Sequence, residues 1–289
     1  MNIKLLADSG CDIPLDELKE KGIYLVPVKL LFGLEDYKDK VDISVEEFYE
    51  KLETAEVYPT TSQPSPQDFY EKYEQAREDG VEILVGMVLS TKLSGTYQSA
   101  MIAQDLFEST YGTEGMKIKI FDSLNATVPL AACVYTFSDI INHGGTLEEL
   151  DSVWEVLKER TILAGALTTL EFLQRSGRVS KTKAFVGKIF NLRPLVSITE
   201  GVIDTIGTAI GSDSALKKEI SFLKKHFNSE EELRAVYIHG KRPDLEGKLK
   251  DMVNEAFNIK KEHAISVGPA IGVHTGPEAV GVALQPFYE

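Results

Sequence analysis

The stretch VEILVGMVLSTKLSGT, residues 81–96, contains the segment that decides the fold. Residues 81–89 form a nearly continuous apolar run, which is typical of a strand covered on both faces in a parallel sheet. A polar turn ends this run, and a helix is predicted over about residues 96–108. A buried strand, a polar turn and a helix in this order indicate an α/β protein whose ligands bind at the carboxyl ends of the strands.

The alternation of strand and helix continues on both sides of this stretch. Further strands are predicted over residues 3–6, 23–28 and 118–121, and a further helix over about residues 126–141. Three more helices have N-cap signals, namely Ser44 with Glu47, Ser65 with a proline at the next position, and Thr146 with Glu149. The first half of the chain is therefore predicted to be an N-terminal parallel-sheet α/β domain, covering residues 1–160.

The pattern changes after residue 160. An apolar stretch over residues 162–170 is followed by a basic, glycine-interrupted helical segment over residues 171–191. A hairpin is predicted around Glu200 and Gly201, followed by helices over residues 214–227 and 243–257 and a strand-rich tail. We expect a smaller C-terminal α+β domain over residues 161–289.

Composition and charge exclude several classes of protein. The 289 residues are 43% hydrophobic and 26% charged, which excludes a disordered or fibrous chain. A net charge of -14 makes nucleic acid and anionic membrane surfaces poor partners. Cys11 and Cys133 lack the spacing of metal ligands. With no membrane span or signal peptide visible, we expect a cytoplasmic protein without a metal or cofactor.

Three polar clusters lie beside apolar runs, over residues 60–65, 90–96 and 268–277. In the second cluster Ser94, Gly95 and Thr96 are predicted to direct N–H groups and hydroxyls to one point at the start of a helix, which is an anion site. The clusters contain no arginine and one lysine, so a single carboxylate is a better ligand than a doubly charged phosphate. We also expect Gly95 to let the ligand approach the main chain.

Each cluster also has an ordinary structural interpretation. Ser94 could be only an N-cap, the segment around Thr61 and Ser62 only a loop, and His274 a packing residue. No standard catalytic signature is present. Asp8 or Asp122 could form a nucleophilic triad with His274 and Ser94, although nothing in the spacing requires it. A stand-alone Ser/His acyl hydrolase or transferase is therefore the weaker hypothesis.

At these clusters the sequence resembles the DegV family, bacterial proteins that include the fatty-acid-binding subunit of fatty acid kinase. The resemblance extends over almost the whole chain, and no single motif is specific on its own. The motifs that carry it are Asp8-Ser9, Thr61-Ser62-Gln63-Pro64-Ser65, Leu93-Ser94-Gly95-Thr96 with Ser99-Ala100, Phe121-Asp122-Ser123, Ser176-Gly177-Arg178-Val179-Ser180, Arg193-Pro194 and Gly272-Val273-His274-Thr275-Gly276-Pro277.

The resemblance implies two α/β domains with a long-chain fatty acid between them. Its carboxylate would be held by Thr61, Ser62, Ser94 and His274. Family members of the kinase type do not transfer phosphate themselves. They present the bound acid to a separate ATP-using kinase. That kinase converts the carboxylate to an acyl-phosphate for phospholipid synthesis. A third hypothesis, a sensor of another small carboxylate, differs only in the identity of the ligand.

The resemblance also implies a partner-docking role for Arg178. This residue lies in a basic segment with Arg175, Lys181 and Lys183. The chain departs from the family pattern at Ser176, where a second glycine is frequent, while the positions proposed for the carboxylate are unaffected.

Overall fold

The computed structural model describes residues 2–112, 115–179 and 191–289. In these residues the strands are β1 (Ile3–Asp8), β2 (Tyr24–Val26), β3 (Lys29–Phe32), β4 (Glu35–Lys38), β5 (Thr60–Ser62), β6 (Ile83–Val88), β7 (Lys117–Asp122), β8 (Ile162–Ala166), β9 (Leu192–Thr199), β10 (Val202–Ile210), β11 (Glu232–His239), β12 (Asn258–Ser266) and β13 (Val280–Pro286). The helices are α1 (Leu15–Glu20), α2 (Val45–Thr54), α3 (Pro66–Glu78), α4 (Thr96–Tyr111), α5 (Thr127–Asn142), α6 (Leu147–Arg160), α7 (Glu171–Ser176), α8 (Ser212–Leu223), α9 (Pro243–Ala256) and α10 (Pro269–Thr275).

A four-stranded parallel sheet forms the centre of the N-terminal half. Its strand order is β2-β1-β6-β7, and all three strand pairs are parallel. Every residue of β6 is buried, as the apolar run predicted. The predicted α/β class is therefore confirmed. Because the strands are parallel, the loops after β1, β6 and β7 all lie at the same edge of the sheet.

The predicted helix starts in this half are also confirmed. Ser44 forms a complete capping box with Glu47 at the start of α2. Ser65 caps α3, which has its proline in the first turn, and the Thr146 hydroxyl accepts from the Glu149 amide at the start of α6. These bonds satisfy amides that have no partner within the helix, so local sequence was sufficient to place the N-termini of these helices.

A six-stranded mixed sheet dominates the second half, in the order β10-β9-β8-β13-β11-β12. Strands β11 and β12 are parallel, and the other neighbours are antiparallel. The hairpin between β9 and β10 turns at Glu200 and Gly201, both with positive φ, at the predicted position. This second, sheet-rich unit agrees with the predicted fold class, whereas the boundary at residue 160 remains a prediction.

Three features differ from the sequence-based expectation. Strands β3, β4 and β5 form a small antiparallel sheet that was not predicted. Helix α7 ends before Gly177, whose φ is 71°, so residues 177–179 do not continue the helix predicted over residues 171–191. Ser180, Lys181 and Lys183 lie outside the described residues. The tail, expected to be strand-rich, contains α10 between its two strands.

Helix α10 joins the two halves of the molecule. It follows β12 of the six-stranded sheet and packs against α7 of the second half. It also packs against α2, β3, β5 and the 3-10 turn Ser9–Cys11 of the N-terminal half. Among the described residues, none of the helices is long and apolar enough to cross a membrane.

Candidate functional site

A cavity of about 330 Å³ lies between the carboxyl edge of the four-stranded sheet and one face of the six-stranded sheet. This volume falls within the usual range of small-molecule sites. Its apolar wall is formed by Val28, Leu89, Leu93, Ala126, Leu163, Leu167, Leu173, Val196, Ile198, Ile203, Ala270 and Ile271. Its polar residues are Thr61, Ser62, Gln63, Ser94, Gly95, Thr127, Arg178, His274 and Thr275. All six residues named from the sequence as carboxylate or docking residues therefore line one cavity.

Thr61 and His274 meet directly at the wall of this cavity. A hydrogen bond of 3.0 Å joins Thr61 Oγ1 and His274 Nε2, although the two residues are 213 positions apart in the chain. Thr61 is held on β5 by pairing with Leu30, and His274 occupies the last turn of α10. The Tyr58 hydroxyl donates to the Val273 carbonyl oxygen and so ties the segment before β5 to α10.

Burial keeps His274 neutral. Loss of hydration, with a smaller contribution from the positive charge of Arg178, lowers the pKa of His274 to about 4. The imidazole therefore carries one proton at neutral pH. Its Nδ1 is buried and has no hydrogen-bond partner among the described residues. A neutral ring of this kind acts as a hydrogen-bonding group and not as a counter-charge.

Ser94 and Gly95 lie at the start of α4, as predicted. Gly95 is the N-cap residue, and the Ser94 hydroxyl accepts from the Thr96 amide at 3.3 Å and pairs with the Thr96 hydroxyl at 2.8 Å. The side of Gly95 where a Cβ would stand is filled by the Gln63 side-chain amide, whose Oε1 would lie 2.0 Å from it. At that position Gly95 leaves room for Gln63, and the approach of a ligand to the main chain at Gly95 stays a prediction.

Ser62 lies next to Thr61 at the end of β5, and its side chain is exposed. Its hydroxyl donates at 3.4 Å only to the adjacent Gln63 carbonyl oxygen within the described part of the chain. A bond that long to a neighbouring residue is weak, so the hydroxyl is able to turn towards another acceptor.

Arg178 lies in the cavity wall and brings the positive charge that the sequence clusters lacked. Its guanidinium donates to the Ser176 carbonyl oxygen and, at 3.5 Å, to that of Leu93, the residue before Ser94. Sequence reasoning assigned Arg178 to a docking surface and missed its place beside the polar end of the cavity. Gln63 and Thr127 were likewise not predicted to line it.

The alternative catalytic triad is not assembled in the described residues. His274 bonds to Thr61, whereas Ser94 bonds to Thr96. The Asp8 carboxylate accepts from the amides of Gly10 and Leu89, and Asp122 accepts from Thr91. A triad needs its nucleophile, base and orienting acid in one hydrogen-bonded chain, and these contacts do not form one. No group of metal-ligating side chains was found in residues 2–112, 115–179 and 191–289.

Replacing His274 with Gln should change how stability depends on pH. The folded wild type resists protonation of this ring, so below pH 6.5 the unfolded state binds more protons and stability falls as pH falls. His274→Gln lacks this ring and therefore this loss of stability. When the pH falls from 7 to 5, its free energy of unfolding should rise by about 2 kcal/mol relative to that of the wild type. Urea unfolding of delipidated protein at both pH values measures the difference.

The exposed His143 provides the matched control for this measurement, because His143→Gln also removes a histidine but from the surface. The pH-dependent gain in stability of His274→Gln is compared with that of His143→Gln, and we expect the gain of His274→Gln to be larger. A gain no larger than that of His143→Gln would contradict the buried, neutral state assigned to His274.

Comparisons with known proteins agree with this fold. Residues 2–286 match the family model DegV, described as an uncharacterised protein family. DegV domain-containing proteins of Clostridium perfringens and Clostridium acetobutylicum are 31% and 32% identical, and each alignment covers 98% of both chains. The structure is similar to that of a fatty-acid-binding DegV family protein from Thermus thermophilus. That protein is 27% identical with a TM-score of 0.90, and the match covers 99% of this chain and 100% of the other.

Proposed function

The chain belongs to the DegV family, and on that basis we propose that it binds a long-chain fatty acid in the cavity and presents the carboxylate to a separate kinase. The observation that carries the proposal is one cavity with an apolar wall and a polar end formed by Thr61, Ser94 and His274. The fatty acid binding described for the Thermus thermophilus relative supports the choice of ligand.

The apolar wall would supply most of the affinity. Burying about fifteen carbons of a sixteen-carbon acid at about 0.8 kcal/mol each contributes on the order of 12 kcal/mol before the costs of association. A micromolar dissociation constant requires about 8 kcal/mol, so roughly two thirds of that contribution must remain. The polar residues then serve mainly to fix which end of the acid lies at the mouth of the cavity.

The polar end would bind the carboxylate through hydroxyl donors. We assign the proton of His274 to Nε2, because the other tautomer would bury an Nδ1–H group without an acceptor among the described residues. Nε2–H then donates to Thr61 Oγ1, and the Thr61 hydroxyl is free to donate to the ligand. Ser94 and Ser62 would donate further hydrogen bonds, and the N-terminus of α4 adds a favourable dipole.

Presentation to a kinase fits a cavity with hydroxyls at its polar end. A carboxylate held by neutral hydroxyls keeps electron density on its oxygens, which is required for attack on a phosphoryl group. The chain itself is then a carrier, and ATP and phosphoryl transfer belong to the partner. This partner would couple the bound acid to phospholipid synthesis.

Analysis of the copurified lipid tests the binding proposal directly. The purified protein is denatured and extracted with organic solvent, and the extract is analysed by mass spectrometry. We expect about one fatty acid per chain or, after delipidation, saturable binding of added palmitate or oleate. Absence of both would refute fatty-acid binding. Turnover of an activated acyl ester that disappears in Ser94→Ala would support the hydrolase alternative instead.

Thr61→Val should weaken fatty-acid binding by about tenfold without changing the fold, because valine keeps the shape of threonine and removes the hydroxyl donor. Thr61→Ser keeps the donor and is the matched control, with an expected change of less than about threefold. Titration with a fluorescent fatty acid measures both variants. Equal affinities for Thr61→Val and Thr61→Ser would exclude the Thr61 hydroxyl as a ligand of the carboxylate.

A further inference from the structure

Helix α10 depends on groups outside itself for its position. It has only seven residues, and isolated helices of that length are unstable in water. Its N-cap residue is Gly268, which has no side chain to cap the first turn. Yet this helix carries His274 and Thr275 to the polar end of the cavity, and Ala270 and Ile271 to its wall.

Two aspartates from the N-terminal half take the place of the missing cap. The Gly268 amide donates to Asp12 Oδ1 at 2.9 Å, and the Ala270 amide donates to Asp39 Oδ1 at 3.3 Å. Both side chains are almost fully buried, with Asp12 2% and Asp39 0% exposed. Carboxyl groups at the first turn bond its free amides and interact favourably with the helix dipole.

Lys40 anchors the chain on both sides of Asp12. Its ammonium donates to the carbonyl oxygens of Ser9 and Ile13, at 3.2 Å and 3.1 Å, on either side of Asp12. Burial raises the pKa of both aspartates, and the positive charge of Lys40 opposes this shift. A buried carboxylate without such a partner would be costly.

The backbone around this cluster is held in unusual conformations. Asp12 and Lys40 have φ values of 59° and 63°, which are uncommon for residues other than glycine. A Cβ at Gly268 would lie 2.8 Å from both Asp12 Oδ1 and Lys40 Cε, so the chain approaches the cluster as closely as glycine allows. Such conformations persist only where the surrounding contacts fix them.

We propose that Asp12 and Asp39 are positioning residues for His274: by capping α10 they set the place of the ring that bonds Thr61. His274 lies four residues after Ala270, one helical turn along, so a shift at the capped end moves the ring. None of Asp12, Asp39 and Lys40 is among the cavity-lining residues found in the described part of the chain, so they act through the helix. The consequence for fatty-acid binding rests on the proposed function.

A pair of Asp12 variants tests the inference. Asp12→Gly removes the carboxyl group while tolerating the positive φ, and Asp12→Asn keeps an acceptor in the same conformation. Asparagine is a close substitute, because burial raises the pKa of Asp12 to about 7 and the native group is partly protonated at neutral pH. We expect Asp12→Gly to weaken palmitate binding about tenfold, the size of one lost capping bond, and Asp12→Asn to restore it to within about threefold.

NMR of the His274 ring gives a readout that a purely structural role would not change. In Asp12→Gly the ring resonances should shift and the pKa of His274 should rise from about 4 towards its ordinary value as water reaches the ring. Asp12→Asn should retain the wild-type spectrum. A lower thermal midpoint in Asp12→Gly with unchanged His274 resonances and palmitate affinity would overturn the inference.

Two further provisions keep the test decisive. If Asp12→Gly does not fold, Asp39→Ala and Asp39→Asn make the same comparison at the Ala270 amide, with the same expected and contradicting results. If wild-type protein binds no fatty acid, the proposed function fails, whereas the His274 spectra of delipidated protein still decide whether the aspartates position the ring.

Discussion

Replacing Ile198 with Trp should abolish fatty-acid binding. Ile198 lies on β9, is 7% exposed and forms part of the apolar wall. An indole at this position would occupy space that the acyl chain requires in a cavity of only about 330 Å³. We expect a loss of at least about 100-fold in palmitate affinity, because displacing even four buried methylenes removes about 3 kcal/mol. Titration of delipidated protein and mass spectrometry of the copurified lipid measure the effect.

Ile210→Trp is the matched control. Ile210 lies at the end of β10 in the same hairpin, but its side chain is 69% exposed and outside the cavity lining. The same change of residue should therefore leave palmitate affinity unchanged. Overpacking at Ile198 is expected to lower the thermal midpoint of the folded protein, so circular dichroism must show that the variant is folded. Wild-type affinity in folded Ile198→Trp would show that the acyl chain lies elsewhere.

The parts of the fold that sequence predicted are those whose signals are local. The apolar run over residues 81–89 is long enough to indicate a buried strand, and β6 lies within it. The capping pairs at Ser44 and Thr146 placed helix ends, because an N-cap bond spans only three residues. Local patterns of this kind do not depend on which other segments pack against them.

The elements that were missed have no such signal. Strand β5 has three residues, all polar, and is a strand because it pairs with β3. Helix α10 has a proline in its first turn and Gly276 after its last residue, and seven residues are too few to show helical periodicity. Both elements carry site residues, so the meeting of Thr61 with His274 depends on contacts that sequence alone does not display.

The polar end of the site was partly predictable for the same reason. Ser94 and Gly95 lie at a strand-to-helix turn that can be recognised locally. The direction of Arg178 was not predictable, because it depends on the left-handed turn at Gly177 that ends α7. The apolar wall combines residues of the six-stranded sheet with residues of the segments that follow strands of the four-stranded sheet. These residues are far apart in the sequence, so the wall was not predictable either.

Under the proposed function, Arg178→Ala should leave fatty-acid binding nearly intact and abolish phosphorylation by the proposed partner kinase. The guanidinium lies beside the polar end of the cavity, while the acyl chain of the proposed ligand would supply most of the affinity. We expect palmitate affinity to change by less than about tenfold, because the guanidinium donates to the carbonyl oxygens of Ser176 and Leu93. Loss of a charge-assisted hydrogen bond to the ligand, about 1.5–3 kcal/mol, would cost more than that. Transfer from ATP should fall by about 1,000-fold, at the lower end of what an arginine contributes to phosphoryl transfer. Acyl-phosphate formed with the cognate ATP-dependent kinase is the measured product.

Arg175→Ala is the control that separates local charge from position. Arg175 lies on α7 three residues before Arg178, but its side chain is 55% exposed and paired with Glu171. If positive charge on this segment were all that the kinase required, both variants would lose phosphorylation. Loss in Arg178→Ala alone would assign the effect to the guanidinium at the cavity. Kinase binding then distinguishes the two roles of Arg178: a lost complex indicates docking, whereas a retained complex without transfer indicates action on the head group.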